Sequence, residues 1–333
     1  MTITAIEATG CDGGFSVVLE GALKYKQKNK TPDLILVAGK DRLPKEFLNV
    51  DEVNGIHIEK TEFTYHPGDN INNKKSSICR ALEMHKSGEA DNIIAPGDTG
   101  ASVFYSFRTF NRIEGFRPAI ACNFSGSVLI DVGANKECKP KHYKQFAIMG
   151  SVFSKNYLKI ENPLVGIVTN GTELWKGDDL ARESRPLIEE LRQKGYNITE
   201  GFFEPNIFRD SDHAGFRKGL VGVTNGIFGN GILKSAETAF EIFGDIFKDE
   251  FKKEPIYNQI IAGHTLKRMG ARIKQRIDYR SIATAPLMGI DGYVMICHGR
   301  SDAEAIEKAI EISKRYLDCG INTLLREEIQ RCS

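Results

Sequence analysis

The chain has 333 residues, of which 41% are hydrophobic and 27% are charged, and its formal net charge is +1. These values are typical of a globular protein and exclude a disordered chain. A nucleic-acid-binding protein would carry a clear basic excess, so the near-neutral charge argues against that class. Seven cysteines form no CxxC pair, which suits neither a zinc cluster nor a disulfide framework and indicates a reducing compartment.

The N-terminal residues 1–7 lack the basic-then-apolar order of a signal peptide. No apolar run approaches the roughly 18 residues that a membrane-spanning helix requires. We therefore expect a cytoplasmic protein, with peripheral contact at the inner face of the membrane as an open alternative.

One pattern recurs along the chain: a short apolar strand, a loop that contains glycine, and then a helix. Six such strands are predicted, at residues 2–7, 91–95, 128–132, 164–168, 220–223 and 293–296. Helices are predicted after them, among them 142–158 and 178–192, and the last helix is expected to begin with a capping box of Ser301 and Glu304.

Strands that alternate with helices predict an α/β fold with a doubly wound, largely parallel sheet and helices on both faces. We interpret residues 1–333 as a single domain. In such sheets ligands bind beyond the carboxyl ends of the strands, where the glycine loops and the positive helix N-termini favour an anionic substrate. The alternative is that the glycines only make tight turns. Neither GxGxxG nor GxxxxGK[ST] occurs, which argues against a nucleotide site.

A helical segment is predicted at 235–280. Phe240, Phe243, Phe247 and Phe251 recur there at helical spacing, with charged residues between them. Such a stripe is more often buried against a partner helix or a second subunit than against lipid. We therefore expect this segment to pack against another helix or a second subunit.

The loops and the helices behind them resemble the PlsX family of phosphate acyltransferases from bacterial phospholipid synthesis. The resemblance is clearest in the sequence DVGAN at 131–135, Lys139-Pro140, and QFAIMGS at 145–151. It continues through GTE at 171–173 and the late glycine loop at 226–234, and it covers essentially the whole chain.

The resemblance implies an isopropylmalate dehydrogenase- or phosphotransacetylase-like fold and a homodimer. It also implies that the segment at 235–280 protrudes, builds the dimer and can contact a membrane surface. It also implies transfer of a fatty acyl group from acyl carrier protein to inorganic phosphate, giving acyl phosphate. Neither a metal nor another cofactor is indicated. The implied substrate-binding residues are Ser76, Ser77, Gly97, Thr99, Gly100, Gly133, Asn135, Gly171, Thr172, Gly229 and Lys234.

Three residues are predicted to take part in the chemistry. Lys176 lies between a strand end and a helix start, where its ammonium can contact phosphate or the oxyanion of the tetrahedral intermediate. His298 follows a strand and can protonate the leaving thiolate, and Asn230 can donate a hydrogen bond to phosphate. Each has a structural alternative: a solvated lysine, a strand-end histidine and a helix-capping asparagine.

A basic stretch at Lys136, Lys139, Lys141 and Lys144 is interpreted as the surface that meets an acidic carrier protein, or else as an ordinary solvated face.

The chain departs from the family's pattern at Glu7, Asp98, Thr169 and Asn225. These changes keep two other functions open: a short-chain phosphotransacylase, with coenzyme A as an alternative acyl donor, and a non-catalytic paralogue that binds acyl carrier protein. A dehydrogenase of the isopropylmalate type would need an aspartate cluster for a divalent metal, and the sequence shows no convincing one.

Overall fold

The computed structural model of the chain describes residues 2–30, 32–65, 69, 75–210, 215–255, 263, 268–269 and 284–332. Within these residues, the strands in chain order are β1 (Ile3–Glu7), β2 (Asp33–Gly39), β3 (Glu52–Val53), β4 (Ile56–Thr61), β5 (Asn92–Pro96), β6 (Ala119–Phe124), β7 (Ser127–Ile130), β8 (Leu164–Ile167), β9 (Asn197–Ile198), β10 (Leu220–Val223), β11 (Thr284–Met288) and β12 (Val294–Cys297).

The helices are long enough to cover the strands that they accompany. They are α1 (Gly14–Lys28), α2 (Ser77–Ser87), α3 (Thr99–Thr109), α4 (Pro140–Asn156), α5 (Asp179–Glu189), α6 (Gly226–Lys253), α7 (Ala303–Asp318) and α8 (Ile321–Cys332).

The twelve strands form one sheet in the order β3-β4-β2-β1-β5-β12-β11-β6-β7-β10-β8-β9. The direction reverses at three successive pairs in the middle, β12–β11, β11–β6 and β6–β7. An odd number of antiparallel pairs separates the two halves of the sheet. The strands β7, β8 and β10 therefore run antiparallel to β1, β5 and β12. The carboxyl ends of these two groups therefore lie at opposite edges of the sheet.

The predicted α/β class is confirmed, and all six predicted strands are present within one or two residues of their expected ends. The antiparallel pairs in the middle of the sheet were not predicted. Strands buried on both faces are apolar throughout whichever way their neighbours run, so the sequence pattern does not reveal direction. β11 and β12 show this, since every residue in both is buried.

Two apolar cores hold the helices against the sheet, one on each face. On one face, Phe15 of α1, Phe146 and Phe153 of α4 and Tyr316 of α7 are among the largest fully buried side chains. On the other, α2 and α3 pack through residues such as Leu82. The core therefore fixes the loops at both edges.

Side-chain caps begin most of the helices near these edges. Asp98, Asp178 and Asn225 each accept a hydrogen bond from the backbone N–H three residues further on.

The start of the last strand–helix unit differs from the sequence prediction. Asp302 caps α7, and the Ser301 hydroxyl donates to the His298 carbonyl at 2.6 Å. The predicted capping box of Ser301 and Glu304 is wrong because a turn already uses that hydroxyl.

Helix α6 extends well beyond the sheet. Its described part ends at Lys253, so most of the remainder of the predicted 235–280 segment lies outside the described residues. Past Glu241 it exposes four large apolar side chains, Ile242, Phe243, Ile246 and Phe247. In the part of the chain that the structure describes, no helix combines the length and the apolar character needed to cross a bilayer.

Candidate active site

The polar residues singled out in the sequence lie at the two opposite edges of the sheet. The Asn225 edge consists of the residues that follow β7, β8 and β10, namely 131–135, 169–178 and 224–226. The His298 edge consists of the residues that follow β1, β5 and β12, namely 8–13, 97–98 and 298–302. Helix α6 starts at the first edge and reaches the second.

A buried carboxylate shapes the first loop of the Asn225 edge. Asp131 accepts hydrogen bonds from the backbone N–H groups of Ile120, Gly133, Ala134 and Asn135, at 2.7–3.1 Å. The Asn135 side-chain amide donates to it as well, at 2.9 Å. These donors are therefore engaged by protein, and the predicted phosphate contacts of Gly133 and Asn135 stay predictions.

The N-terminus of α6 lies tightly against this loop. Asn225 caps the helix by accepting from the backbone N–H of Phe228 at 2.9 Å. A Cβ at Gly229 would lie 2.0 Å from the Asp131 carbonyl oxygen, so only glycine fits there. Asn230, the next residue, has an exposed side chain. The positive end of the α6 dipole thus faces the Asn225 edge.

Lys176 lies in the loop between β8 and α5, as predicted from the sequence. Its backbone N–H donates to the Glu173 carbonyl at 2.9 Å, and its half-buried side chain runs along Gly171. A Cβ at Gly171 would lie 2.9 Å from the Lys176 Cγ, so this glycine makes room for the lysine stem. The Thr172 carbonyl accepts a hydrogen bond from the backbone N–H of Phe202 at 3.0 Å, and this bond anchors the loop.

Tyr143 connects the lysine loop to α6. The tyrosine hydrogen-bonds with Asn225, and the Asp178 carboxylate lies near it. Burial first, and then the Asp178 charge, raise the pKa of Tyr143. The loop that contains Lys176, the start of α6 and the Asp131 loop therefore lie next to one another.

Several cations surround the entrance to this site. The guanidinium of Arg117, a residue that the sequence analysis missed, donates to the Asn135 side-chain carbonyl. Burial lowers the pKa of His142, and nearby positive charges lower it further; these are Arg117, Lys141, Lys139 and Arg112. Arg117 precedes β6 and follows none of the predicted strands, so only the folded chain brings it to the site.

The His298 edge is organised by a second buried carboxylate. Glu7 accepts from the Thr9 N–H and hydroxyl, both at 3.1 Å, from the Gly10 N–H at 2.9 Å and from the Ser77 hydroxyl at 2.7 Å. Burial raises the pKa of Glu7, and these hydrogen bonds oppose the rise. Ser77 thus has a structural partner.

Space at this edge is limited. Ser76 caps α2 and Asp98 caps α3, whose first residues are Thr99 and Gly100. Gly97 packs against Gly10, where a Cβ would lie 3.3 Å from the Gly10 carbonyl carbon. The cavity between these loops has about 20 Å³, which holds roughly one water molecule and no phosphate.

An ion-pair network around the buried carboxylate of Glu237 holds His298. Its Nε2 lies 2.6 Å from Oε1 of Glu237, and its Nδ1 lies 3.2 Å from Nζ of Lys234. Lys234 donates to the other Glu237 oxygen at 2.8 Å. Burial raises the pKa of Glu237, but the contacts with His298 and Lys234 outweigh it and hold that pKa below its usual value. Glu237 was missed in the sequence; its spacing of three from Lys234 was the available signal.

The structure therefore separates the predicted site residues into two groups. Those at the Asn225 edge are Gly133, Asn135, Gly171, Thr172, Lys176 and Gly229, with Asn230 one residue further along α6. Those at the His298 edge are Ser76, Ser77, Gly97, Thr99, Gly100, Lys234 and His298. The chemical role of each residue stays a prediction.

Comparison with known proteins identifies the family. A family model described as fatty acid synthesis protein matches residues 1–324. The phosphate acyltransferase of Geotalea uraniireducens is 33% identical, covering 98% of this chain and 94% of its own length. That of Desulforamulus reducens is 34% identical, covering 98% of this chain and 97% of its own. The resemblance found in the sequence is confirmed.

The fold has relatives among solved structures. A phosphotransacetylase from Streptococcus pyogenes superposes with a TM-score of 0.58 over 95% of this chain and 94% of that chain, at 12% identity. At this identity the likeness concerns the fold alone, and it agrees with the predicted phosphotransacetylase-like architecture. Since the family model and both named relatives span nearly the whole sequence, the chain belongs to the fatty acid synthesis protein family that contains these phosphate acyltransferases.

Proposed function

We propose that this protein is a phosphate acyltransferase that moves a fatty acyl group from acyl carrier protein to inorganic phosphate, giving acyl phosphate for phospholipid synthesis. The observation that carries the proposal is its similarity to phosphate acyltransferases at 33–34% identity over 98% of the chain.

We place the phosphate and the thioester carbonyl at the Asn225 edge. The Lys176 ammonium and the positive end of α6 lie there, and Arg117 lies beside them. The His298 edge is less suitable for a dianion, because its cavity of about 20 Å³ is lined by the carboxylates of Glu7 and Asp98.

The reaction needs positioning and charge stabilisation more than an activated side chain. A phosphate oxygen attacks the thioester carbonyl carbon, the tetrahedral intermediate collapses, and the C–S bond breaks. The proton of hydrogen phosphate ends on the departing thiolate, so acyl phosphate and a free thiol are formed without a redox partner or a metal. Lys176 stabilises the oxyanion or holds the phosphate.

His298 fits a positioning role in this scheme. Both of its ring nitrogens already face partners, Glu237 and Lys234. The proposal therefore routes no proton through His298, and the network instead fixes α6 to the loop after β12.

The carrier protein docks, in this proposal, beside the Asn225 edge. Lys136, Lys139 and Lys141 are exposed there and present a positive surface to an acidic partner. Lys144 differs, because its ammonium lies 2.6 Å from the Glu190 carboxylate.

We further infer a cytoplasmic homodimer with peripheral membrane contact. The seven cysteines all lie in described residues and none of them forms a disulfide, which agrees with a reducing compartment. The exposed Ile242, Phe243, Ile246 and Phe247 supply an apolar face that suits a second subunit or a lipid surface.

The four residues that depart from the family's pattern still make hydrogen bonds that hold their loops, which argues against a non-catalytic paralogue. Glu7 accepts four hydrogen bonds, and Asp98 and Asn225 cap their helices. The Thr169 hydroxyl donates to the Gly171 carbonyl at 2.7 Å.

Phosphate-dependent release of free thiol tests the proposal, with palmitoyl-carrier protein and acetyl-coenzyme A as parallel donors. We expect release from the palmitoyl donor that requires added phosphate. Release from acetyl-coenzyme A alone would instead establish a short-chain phosphotransacylase. No release from either donor, by a folded protein, would contradict both activities.

A further inference from the structure

A large apolar groove runs along one side of α6, between the two edges of the sheet. One wall is the helix itself, which contributes Phe228, Ile232, Ala236 and Phe240 at successive turns. The groove has a volume of about 1000 Å³. That volume is at the upper end of the range for small-molecule sites. The polar contacts described at the two edges of the sheet do not require a groove of this size.

Aromatic side chains from three other segments form the opposite wall. The ring centroid of Phe124, at the end of β6, lies 5.3 Å from that of Phe208 and 5.0 Å from that of Phe216. Phe216 in turn lies 5.9 Å from Phe240 of α6. These contacts form a continuous aromatic wall and join it to α6 at Phe240, where they bound the groove.

One end of the groove meets the candidate active site. Asn225, the cap of α6, lines the groove and belongs to the Asn225 edge together with Lys176. From Asn225 to Phe240 the helix advances about 22 Å at 1.5 Å per residue. A single fatty acyl chain occupies about half of a bilayer's hydrocarbon thickness, or about 15 Å. The groove is therefore long enough for a long-chain acyl group.

The apolar stripe does not end at Phe240. Phe243 and Ile246 continue it on the same side of α6 and are exposed. The surface of α6 next to the far end of the groove is therefore apolar, which suits the methyl end of a hydrocarbon chain.

We propose that this groove binds the hydrocarbon tail of the acyl substrate, with the thioester carbonyl at the Asn225 end and the methyl end towards Phe240. The assignment rests on the proposed function and adds the location and orientation of the chain. Because each buried methylene adds to binding, the groove selects long chains over short ones.

A bulky side chain placed inside the groove tests this assignment. In Ala236→Trp the indole fills the part of the groove far from Asn225, while Thr238→Trp adds the same bulk at an exposed position outside it. Ser235→Phe, at another lining residue, serves as the second variant should the first not fold. Two quantities are measured: binding of a fluorescent C18 fatty acid, and kcat/KM for palmitoyl- against hexanoyl-carrier protein.

We expect Ala236→Trp to weaken fatty acid binding and to lower the palmitoyl-to-hexanoyl ratio of kcat/KM by at least about tenfold. Thr238→Trp should change neither. An unchanged ratio in folded Ala236→Trp and Ser235→Phe, or an equal loss with both donors, would overturn the assignment. So would loss of a dimer with fatty acid binding intact, since a second subunit would then occupy the groove. If wild-type protein turns over neither donor, the proposed function fails, and fatty acid binding alone still decides the role of the groove.

Discussion

The Lys176 ammonium is the side chain on which the proposed chemistry depends most. It is half-buried and rests on Gly171, so its removal should leave the fold intact. We predict that Lys176→Ala lowers kcat/KM for phosphate-dependent thiol release by about 10²–10³-fold, which is typical for loss of one oxyanion contact. Lys86→Ala, an exposed lysine near the end of α2, is the matched control. Nearly normal activity in Lys176→Ala would move the site elsewhere.

Glu237 provides a test based on pH. Its pKa is held below the usual carboxyl value, so the ionised group stabilises the fold above about pH 4.3, and this contribution is lost as pH falls through the lowered pKa. We predict that Glu237→Gln lowers the free energy of unfolding by about 1–3 kcal/mol at pH 7 and by much less at pH 3.5.

Urea unfolding at the two pH values measures this difference. Glu241→Gln is the control, since Glu241 pairs with Arg300 at the surface and should contribute less than about 1 kcal/mol. A deficit in Glu237→Gln that does not change with pH would show that the charge of Glu237 is not what holds His298.

For single residues, the sequence predicts the position between strand and helix more reliably than it predicts the contacts of the side chain. The position of Lys176 between a strand and a helix followed from local pattern alone. Glu237 and Arg117 did not, because their partners His298 and Asn135 are distant in the chain and only the folded sheet brings them together.

Among the elements, α6 depends most on close backbone packing. Gly229 sits against the Asp131 carbonyl oxygen, whereas a Cβ at Gly244 of the same helix would meet no atom within 4 Å. We predict that Gly229→Ala destabilises the protein by about 1–3 kcal/mol through overpacking. Gly244→Ala should be neutral or stabilising by up to about 1 kcal/mol. Thermal unfolding compares the two, and equal stability of both variants would contradict the tight docking of α6.

Strands and helices were largely predictable because apolar runs and glycine loops mark their ends. Strand direction was not, and it decides which loops meet. The parallel sheet expected from the sequence would have brought the loops of Gly97, Lys176 and His298 to one edge. The three antiparallel pairs around β11 and β6 place Lys176 opposite the other two.

For the whole molecule, the exposed apolar face of α6 is the feature that most favours association, because such a face is unfavourable in contact with water. We predict that Phe243→Glu combined with Phe247→Glu converts a dimer into a monomer, or abolishes binding to anionic vesicles. Light scattering after gel filtration and vesicle sedimentation measure the two outcomes. Thr238→Glu, an exposed position on the same helix, is the control. A wild-type protein that is monomeric and binds no vesicles would contradict both roles of this face.

Incorporation of labelled phosphate tests the central claim most directly. The protein is incubated with palmitoyl-carrier protein and [³²P]phosphate, and acyl phosphate is extracted and identified by its reaction with hydroxylamine. The proposed reaction predicts labelled acyl phosphate in an amount equal to the free thiol released. Thiol release without labelled product would mean hydrolysis, and would contradict acyl transfer to phosphate.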